Sequence, residues 1–390
     1  MTRIPIIAFA SHPWDELQWM NRQHILSRLA GMGWPVYYCT GCLDLWDRHQ
    51  LDWQEATLFH HNVKMDKVNI VRAGRVFPTW LKSPITTQAA IRFYCRYIRQ
   101  AAGIRNDNFI VANFNPIYWP YVKELNARYN HFHAYDMYWM QGAWTANNEL
   151  FMKQCLNASN LVTASSQHLC DVLLEKYHVT AECVENGGDV ALFADVNVSE
   201  PEDIRQIPHP RIGHISSFNR KLDLRVVAAV VRNRPDWHWV FVGRVEHKEL
   251  LGDTYNAEAY KVLCELPNVH LLGERHRGLI PAYNHHFDIL TSVIRKDSGA
   301  WGHVAFPLKL VEYLATGKPI VSSPLRCIND YFSGVIQVAN SASEWEQKIE
   351  FALLEPSMEL SHRRRTIAQQ HSWDARVQLL ENHYHLYFGI

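Results

Sequence analysis

Residues 306–325 read FPLKLVEYLATGKPIVSSPL. The stretch opens as a helix and closes as a buried strand, and that alternation decides the fold class. Pro307 suits a first helical position, because the N–H it lacks has no helical partner there. Gly317 suits the position just past the helix end, where the chain turns left-handed. Lys318 and Pro319 forbid continuation, and IVSS follows as a short apolar strand. At about 100° per residue, Lys309, Glu312, Tyr313 and Thr316 fall on one narrow face. Leu308, Leu310, Val311, Leu314 and Ala315 cover the rest. The expectation is a mostly buried helix that opens one polar stripe. Such a stripe faces either bulk water, as a surface ion pair worth about a few tenths of a kcal/mol, or a cleft.

Just upstream, residues 297–306 read DSGAWGHVAF, a small-residue loop feeding the helix N-terminus. Free backbone N–H groups and the positive end of the helix dipole suit a phosphate there. Lys309, one turn in, adds a mobile positive charge. Glu312, one turn deeper, can accept two hydrogen bonds from the adjacent hydroxyls of a ribose. A nucleoside diphosphate matches loop, lysine and glutamate in that order.

A chain of 390 residues is long enough for two domains with full cores. The composition is globular, 47% hydrophobic and 20% charged, and 39 basic residues balance 39 acidic ones. That balance argues against nucleic acid as a main partner. No apolar run approaches the roughly 20 residues of a membrane span. The start, MTRIPIIAFASHPW, reads as a strand and not as a signal peptide, so the cytoplasm is the expected compartment. The eight cysteines are dispersed, and only Cys39 and Cys42 form a C-x-x-C. No second ligand pair completes a zinc site, so reduced structural thiols are expected.

Strand and helix patterns alternate along the chain, which points to α/β architecture with parallel sheets. PIIAFAS, PVYYCT, FIVAN and HFHAYDMY read as strands, separated by helical patterns such as QHILSRLAGMGW and WPYVKELNARY. A polar, proline-containing stretch at 195–210 reads as a linker. A second alternating set begins at RIGHISS and runs through LDLRVVAAVVRNRP, WHWVFVGR, NVHLLGE and FDILTSV to the opening helix. Trp237 and Trp239 read as core. The chain closes on a helical pattern around DARVQLLENHYHLYF.

These landmarks, taken in order, resemble the GT-B glycosyltransferases, especially bacterial members like glycosyltransferase family 4. PLKLVEYLATGKPIV is similar to the donor-binding helix of that family, and ENGGDVALF to the Asn-Gly turn that closes its first domain. SHPWDELQWMNRQHILSRLAGMGWPVYYC resembles the first β-α-β unit of members acting in surface-polysaccharide assembly. SWDAR resembles the start of the tail helix that crosses back to the first domain. The resemblance implies two Rossmann-like domains facing across a cleft: residues 1–194 for the acceptor, 210–370 for the nucleotide sugar, and 371–390 as the returning helix. It implies transfer of a sugar from a nucleotide-diphosphate sugar, such as a UDP- or GDP-sugar, to a glycan or lipid-linked acceptor in polysaccharide or glycoconjugate biosynthesis.

By the same resemblance Glu312 binds ribose hydroxyls, and Lys309 with Arg220 or Lys221 binds the diphosphate. Gly243, Gly273 and Arg275 lie near the donor. Asp136, Asp15 and His12 lie near the reacting sugar, and Asp136 is a candidate general base if the reaction inverts. The glutamate that many family members carry eight positions before the ribose-binding one is Val304 here. The glycine-rich turn after the first strand is replaced by SHPWDE.

The sequence contains no D-x-D, the paired carboxylates that commonly hold Mn²⁺ or Mg²⁺ on a donor diphosphate. Metal independence and no cofactor are therefore expected, with positive groups stabilising the leaving diphosphate. Residues 92–105, RFYCRYIRQAAGIR, interleave arginines with aromatics at helical spacing, and any peripheral membrane contact is expected there. Two alternatives remain. A nucleotide-sugar 2-epimerase shares the GT-B fold, but the DSG at 297–299 lacks the closely following glutamates. A non-catalytic nucleotide-sugar-binding partner is allowed by Val304.

Overall fold

The computed structural model describes residues 3–15, 19–80, 82–140, 144–195, 197–295, 306–354 and 357–389. The chain divides into two compact units, Met1–Glu185 with Arg376–Ile390, and Asn186–Ala375.

The first unit is built on strands β1 (Ile6–Phe9), β2 (Val36–Cys39), β3 (His61–Met65), β4 (Val68–Arg72), β5 (Ile110–Asn113), β6 (Tyr129–Ala134), β7 (Leu161–Ala164) and β8 (Glu182–Cys183). They form one sheet in the order β3-β4-β2-β1-β5-β6-β7-β8. All neighbours pair in parallel except the β3–β4 hairpin, whose turn places Asp66 and Lys67 at positive φ, 45° and 69°. The central strands IIAF, VYYC and IVAN are nearly continuous apolar runs, as a sheet covered on both faces requires. The order reverses between β1 and β5, where Ile6 pairs with both Val36 and Ile110. The last stretch of chain belongs to this unit. Tyr384 hydroxyl meets His131 Nδ1 at 2.7 Å, and Glu381 accepts from Trp34 Nε1 at 2.9 Å. Cys39, buried, and Cys42, half-buried, are free thiols, and desolvation pushes Cys42 up to about 12 and Cys39 higher still.

The second unit carries β9 (Arg211–Ile215), β10 (His238–Val242), β11 (Val269–Leu271), β12 (Ile289–Ser292), β13 (Ile320–Ser322) and β14 (Gln337–Val338). The sheet is parallel throughout, in the order β11-β10-β9-β12-β13-β14. Counted within the unit that is 3-2-1-4-5-6, the doubly wound Rossmann order. Trp237 and Trp239 are core residues, packed with Val227, Val231, Leu263 and Trp345. The stretch expected to be a linker is not one: Ile204 and Ile207 are buried in the core with Val190, Phe193 and Phe287. The polar composition of 195–210 hides two apolar anchors, and the unit boundary falls earlier, after Glu185.

The helix quoted at the outset spans Leu308–Thr316, with Pro307 just before its first turn. Gly317 ends it at φ 77°, and a Cβ there would lie 2.3 Å from Ser361 Oγ. The polar stripe is narrower than the helical wheel implies. Tyr313 is buried, and its hydroxyl accepts the Ile215 N–H at 2.9 Å at the end of β9. Thr316 is buried too, its hydroxyl donating to Tyr313 O at 2.7 Å within the last turn. Both oxygens serve the local fold, which leaves Lys309 and Glu312.

Candidate functional site

In doubly wound sheets, ligands bind beyond the carboxyl ends of the strands where the strand order reverses. In the second unit that point lies between β9 and β12. Leu290 pairs with Gly213 there, which places His214 and Thr291 side by side one residue on. His214 is fully buried, and its Nδ1 lies 3.3 Å from Thr291 Oγ1. The Thr291 hydroxyl donates to Gly213 O at 2.9 Å, so its oxygen can accept from Nδ1 in the tautomer that carries the imidazole proton there. That leaves the Nε2 lone pair facing outward, 2.8 Å from Ser216 Oγ and 3.3 Å from Lys309 Nζ.

Lys309 is half-buried, held over this imidazole by the helix that follows the loop. Desolvation pulls its ammonium down to about 7. The same burial, with the Lys309 charge next, holds His214 far below the ordinary histidine value, so the imidazole is a neutral acceptor. Among the described residues Lys309 makes no ion pair with Glu312. The surface-pair alternative for this helix therefore does not describe its geometry.

Glu312, one turn on and half-buried, is pushed up to about 7 by burial, against the pull of Arg277 and with a small push from Asp189. Arg277 and Asp189 are themselves paired at 2.8 Å. Asp189 follows Asn186, Gly187 and Gly188 of the ENGG turn. A Cβ on Gly188 would lie 2.6 Å from Val311 Cγ1 and 3.1 Å from the Glu312 nitrogen. The glycine is there so that the turn can lie directly against the helix backbone beside Glu312. Gly188 also donates to His371 O at 3.0 Å, and Asn186 donates to Phe306 O at 3.2 Å.

Three further loops meet at the same strand ends. Gly243, after β10, has φ 151°, and a Cβ there would fall 2.0 Å from Ser216 O. Its N–H donates to Gly273 O at 2.9 Å, and Gly273 has φ 76°. Both glycines thus shape the rim. Arg275 is tied back, with Asp203 Oδ2 at 2.8 Å and the Tyr283 hydroxyl at 3.1 Å. Arg220 is exposed and paired with Glu249 at 3.0 Å. Lys221 is exposed, and its carbonyl accepts from Arg295 N at 2.9 Å. The structure gathers Lys309, Glu312, Gly243 and Gly273 around the reversal point. It commits Arg275 and Arg220 to carboxylates of the same unit. Residues 297–305, with the DSG string and Val304, lie outside the described residues.

In the first unit the strand order reverses between β1 and β5. Asn115 Nδ2 donates there to Ser11 Oγ at 2.8 Å. His12 has an exposed side chain, and its carbonyl accepts the Tyr38 hydroxyl at 2.6 Å. Asp15 is paired with Arg72 at 3.1 Å. Asp136 follows β6 half-buried, its Oδ1 accepting the Met137 N–H at 2.8 Å, the bond of a local turn.

Sequence reasoning missed His214, Arg277 and Asp189. A histidine in the interior of the strand RIGHI was the available signal for the first. Asp189 lies in the quoted ENGGDVALF turn but was not singled out there, and nothing local marked Arg277; both matter through their position beside Glu312.

A chain holding two such units has the GT-B fold, the two-domain class of glycosyltransferase architecture. Sucrose-phosphate synthase from Thermosynechococcus elongatus superposes with a TM-score of 0.70 at 14% identity, covering 99% of this chain and 100% of that one. Anabaena HepE, solved in complex with UDP and glucose, superposes at 0.68 and 13% identity over 98% and 99% of the two chains. Residues 209–354 match the family described as glycosyl transferases group 1. The Bacillus subtilis (strain 168) protein TuaH, assigned to teichuronic acid biosynthesis as a glycosyltransferase, is 29% identical over 178 residues. That match takes in 44% of this chain and 42% of TuaH, so this chain spans less than half of its relative's length.

Proposed function

We propose that the chain is a glycosyltransferase that moves a sugar from a nucleoside-diphosphate sugar to a glycan or lipid-linked acceptor in surface-polysaccharide or glycoconjugate assembly. The observation that carries this reading is the placement of Lys309 and Glu312, both desolvated, at the reversal point of the Rossmann-ordered sheet in the unit that matches the family. The fold of HepE, solved with UDP, and the assignment of TuaH support the donor and acceptor classes.

Lys309 holds the diphosphate. An anion beside its amine restores the proton that burial has loosened, so binding delivers full positive charge where the leaving group becomes more negative. His214 presents a lone pair and no competing cation, which keeps Lys309 aimed without repelling it. Glu312 accepts the two ribose hydroxyls, and Arg277 draws it toward the carboxylate form that this requires. Arg220 and Lys221 are the outer diphosphate contacts, the former after releasing Glu249. With no D-x-D in the sequence, the reading needs no metal on the diphosphate and no cofactor.

In the first unit, Asp136 is the candidate group for the acceptor hydroxyl, with Asp15 and His12 behind it. A cytoplasmic enzyme working on a lipid-linked acceptor meets it at a membrane surface. No helix among the described residues is long and apolar enough to cross one. Donor supplied without acceptor tests the class: a transferase hydrolyses it slowly at most, an epimerase converts it, and a non-catalytic partner binds it and shows no turnover with any acceptor.

A further inference from the structure

The chain as a whole is electrically balanced, but its charge is not evenly spread. Residues 57–105 hold nine Lys and Arg and one acidic residue, Asp66, and two of the nine pair with carboxylates outside the stretch, Arg72 with Asp15 and Arg92 with Glu124. The same stretch carries a run of large apolar side chains on the surface: Leu58, Phe59, Phe77, Trp80, Ile85 and Phe93 are all exposed, Phe59 to 69% and Ile85 to 84%. Scattered single apolar residues on a surface are ordinary, but a connected group is not.

These residues are connected. Arg75 and Val76 donate to the carbonyls of Thr57 and Leu58 at 3.0 and 3.1 Å, which joins the two loops edge to edge. Phe77 stacks on Phe93 with ring centroids 4.3 Å apart. Trp80 is tied to the first turn of the helix Pro84–Ala101, where its N–H donates to Thr87 Oγ1 at 3.0 Å. Ile85, Ala89, Arg92, Phe93 and Arg96 lie exposed along one face of that helix. Lys82 lies 5.0 Å from the ring of Trp46, itself exposed.

The geometry also moves the contact expected at 92–105. Tyr94, Cys95 and Ile98 are buried, and Arg99 is turned onto the carbonyls of Leu125 and Asn106 at 3.1 and 2.8 Å. The helix offers its first half and not its second.

We propose that this face of the first unit docks on the anionic surface of a lipid bilayer. Leu58, Phe59, Ile85 and Phe93 enter the interface, and Lys82 and Arg96 sit against headgroup phosphates, joined by Arg92 on releasing Glu124, with which it pairs at 3.5 Å. The basic excess selects an anionic partner. The exposed aromatic and branched side chains select a bilayer over a hydrated polyanion, because only an acyl boundary removes them from water. The proposal deepens the lipid-linked-acceptor reading and rests on it for its purpose, but its test uses neither donor nor acceptor, so the two fail separately.

The test is co-sedimentation of the full chain with vesicles of phosphatidylcholine alone or with 30% phosphatidylglycerol, at two salt concentrations. Binding is expected to the anionic vesicles and at least tenfold weaker to the neutral ones, and to weaken at high salt. Phe59→Ser with Ile85→Ser, two positions too exposed to carry the fold, should lower binding at least tenfold while the melting curve stays that of the wild type. Arg96→Glu should do the same through charge. Two results overturn the proposal: no binding to anionic vesicles by the folded protein, or wild-type binding by the Phe59→Ser/Ile85→Ser variant. Binding to soluble polyphosphate that matches vesicle binding and ignores the apolar substitutions would assign the basic stretch to a polyanion and also overturn it.

Discussion

Lys309 Nζ and His214 Nε2 lie 3.3 Å apart, an amine poised on the lone pair of a neutral imidazole. Neither group is at its ordinary titration point, and the reason is burial in both cases. On the proposed function, a diphosphate arriving at this pair would restore the positive charge of Lys309.

The pH dependence follows with definite sign. Lys309 in the free protein loses its proton at about 7, so above pH 7 diphosphate binding must bring a proton with it and affinity falls. Glu312 gains its proton at about 7, so below pH 7 ribose binding must expel one and affinity falls again. Donor kcat/KM is therefore expected to peak near pH 7. Glu312→Gln should remove the acid limb, and Lys309→Met the alkaline one, in initial-rate profiles taken with donor well below KM.

The same shifts act on stability without ligand. Glu312 keeps its proton to a higher pH folded than unfolded, so its contribution is full below its ordinary value of 4.5 and is lost as pH rises to about 7. At pH 8 Glu312→Gln should therefore stabilise the empty protein, by about 1–2 kcal/mol once solvent screening is allowed for. Chemical denaturation of both proteins at pH 5 and pH 8 measures this, and the gain should shrink at the lower pH.

Asp136→Asn is expected to leave donor binding unchanged and to lower transfer at least tenfold. Equal transfer by the variant in a coupled assay would leave Asp136 as the turn residue that its bond to Met137 N makes it, and move attention to Asp15 and His12.

Turnover should survive EDTA. Loss of activity on chelation, restored by Mn²⁺, would place a metal on the diphosphate and displace Lys309 from that role.

Gly188→Ala puts a methyl group 2.6 Å from Val311 Cγ1, in a place that already holds the helix backbone. The helix must shift at Glu312, so donor KM should rise at least tenfold, with a stability loss of about 1–3 kcal/mol. The paired readouts are a donor titration and a melt.

The Leu308–Thr316 helix was legible because its ends and its buried faces are local properties. Pro307 and Gly317 bracket it, and Lys309 and Glu312 are charges that an apolar wheel cannot hide. Tyr313 was misread on the same wheel, since its hydroxyl counts as polar while its ring packs in the core and the oxygen bonds to β9. The β-α alternation was legible from apolar runs such as IIAF and HWVFV, and the GT-B class from the resemblance of landmarks such as PLKLVEYLATGKPIV and ENGGDVALF. The β3–β4 hairpin was not: none of HNVKM is buried, so it carries no core-facing apolar alternation, and its turn, Asp66–Lys67, lacks the glycine that usually marks one. His214, Arg277 and Asp189 were out of reach because their roles come from strand order and loop convergence, which no window of sequence contains. Ile204 and Ile207 show the converse, two anchors concealed by polar neighbours.

The central claim is that a nucleoside diphosphate binds at Lys309 and Glu312. Calorimetric titration at pH 7 with UDP and GDP, and with the matching nucleosides, tests it most directly on the wild type, Glu312→Gln and Lys309→Ala. At least one diphosphate should bind the wild type at a single site. Glu312→Gln should weaken both nucleotide and nucleoside, by about 1–3 kcal/mol or a factor of roughly 5–150, through the lost charge-assisted bonds to ribose. Lys309→Ala should weaken the diphosphate by a similar factor and leave the nucleoside unchanged. Wild-type affinity in both variants, for a diphosphate that does bind, would contradict the account and return the helix to a structural role.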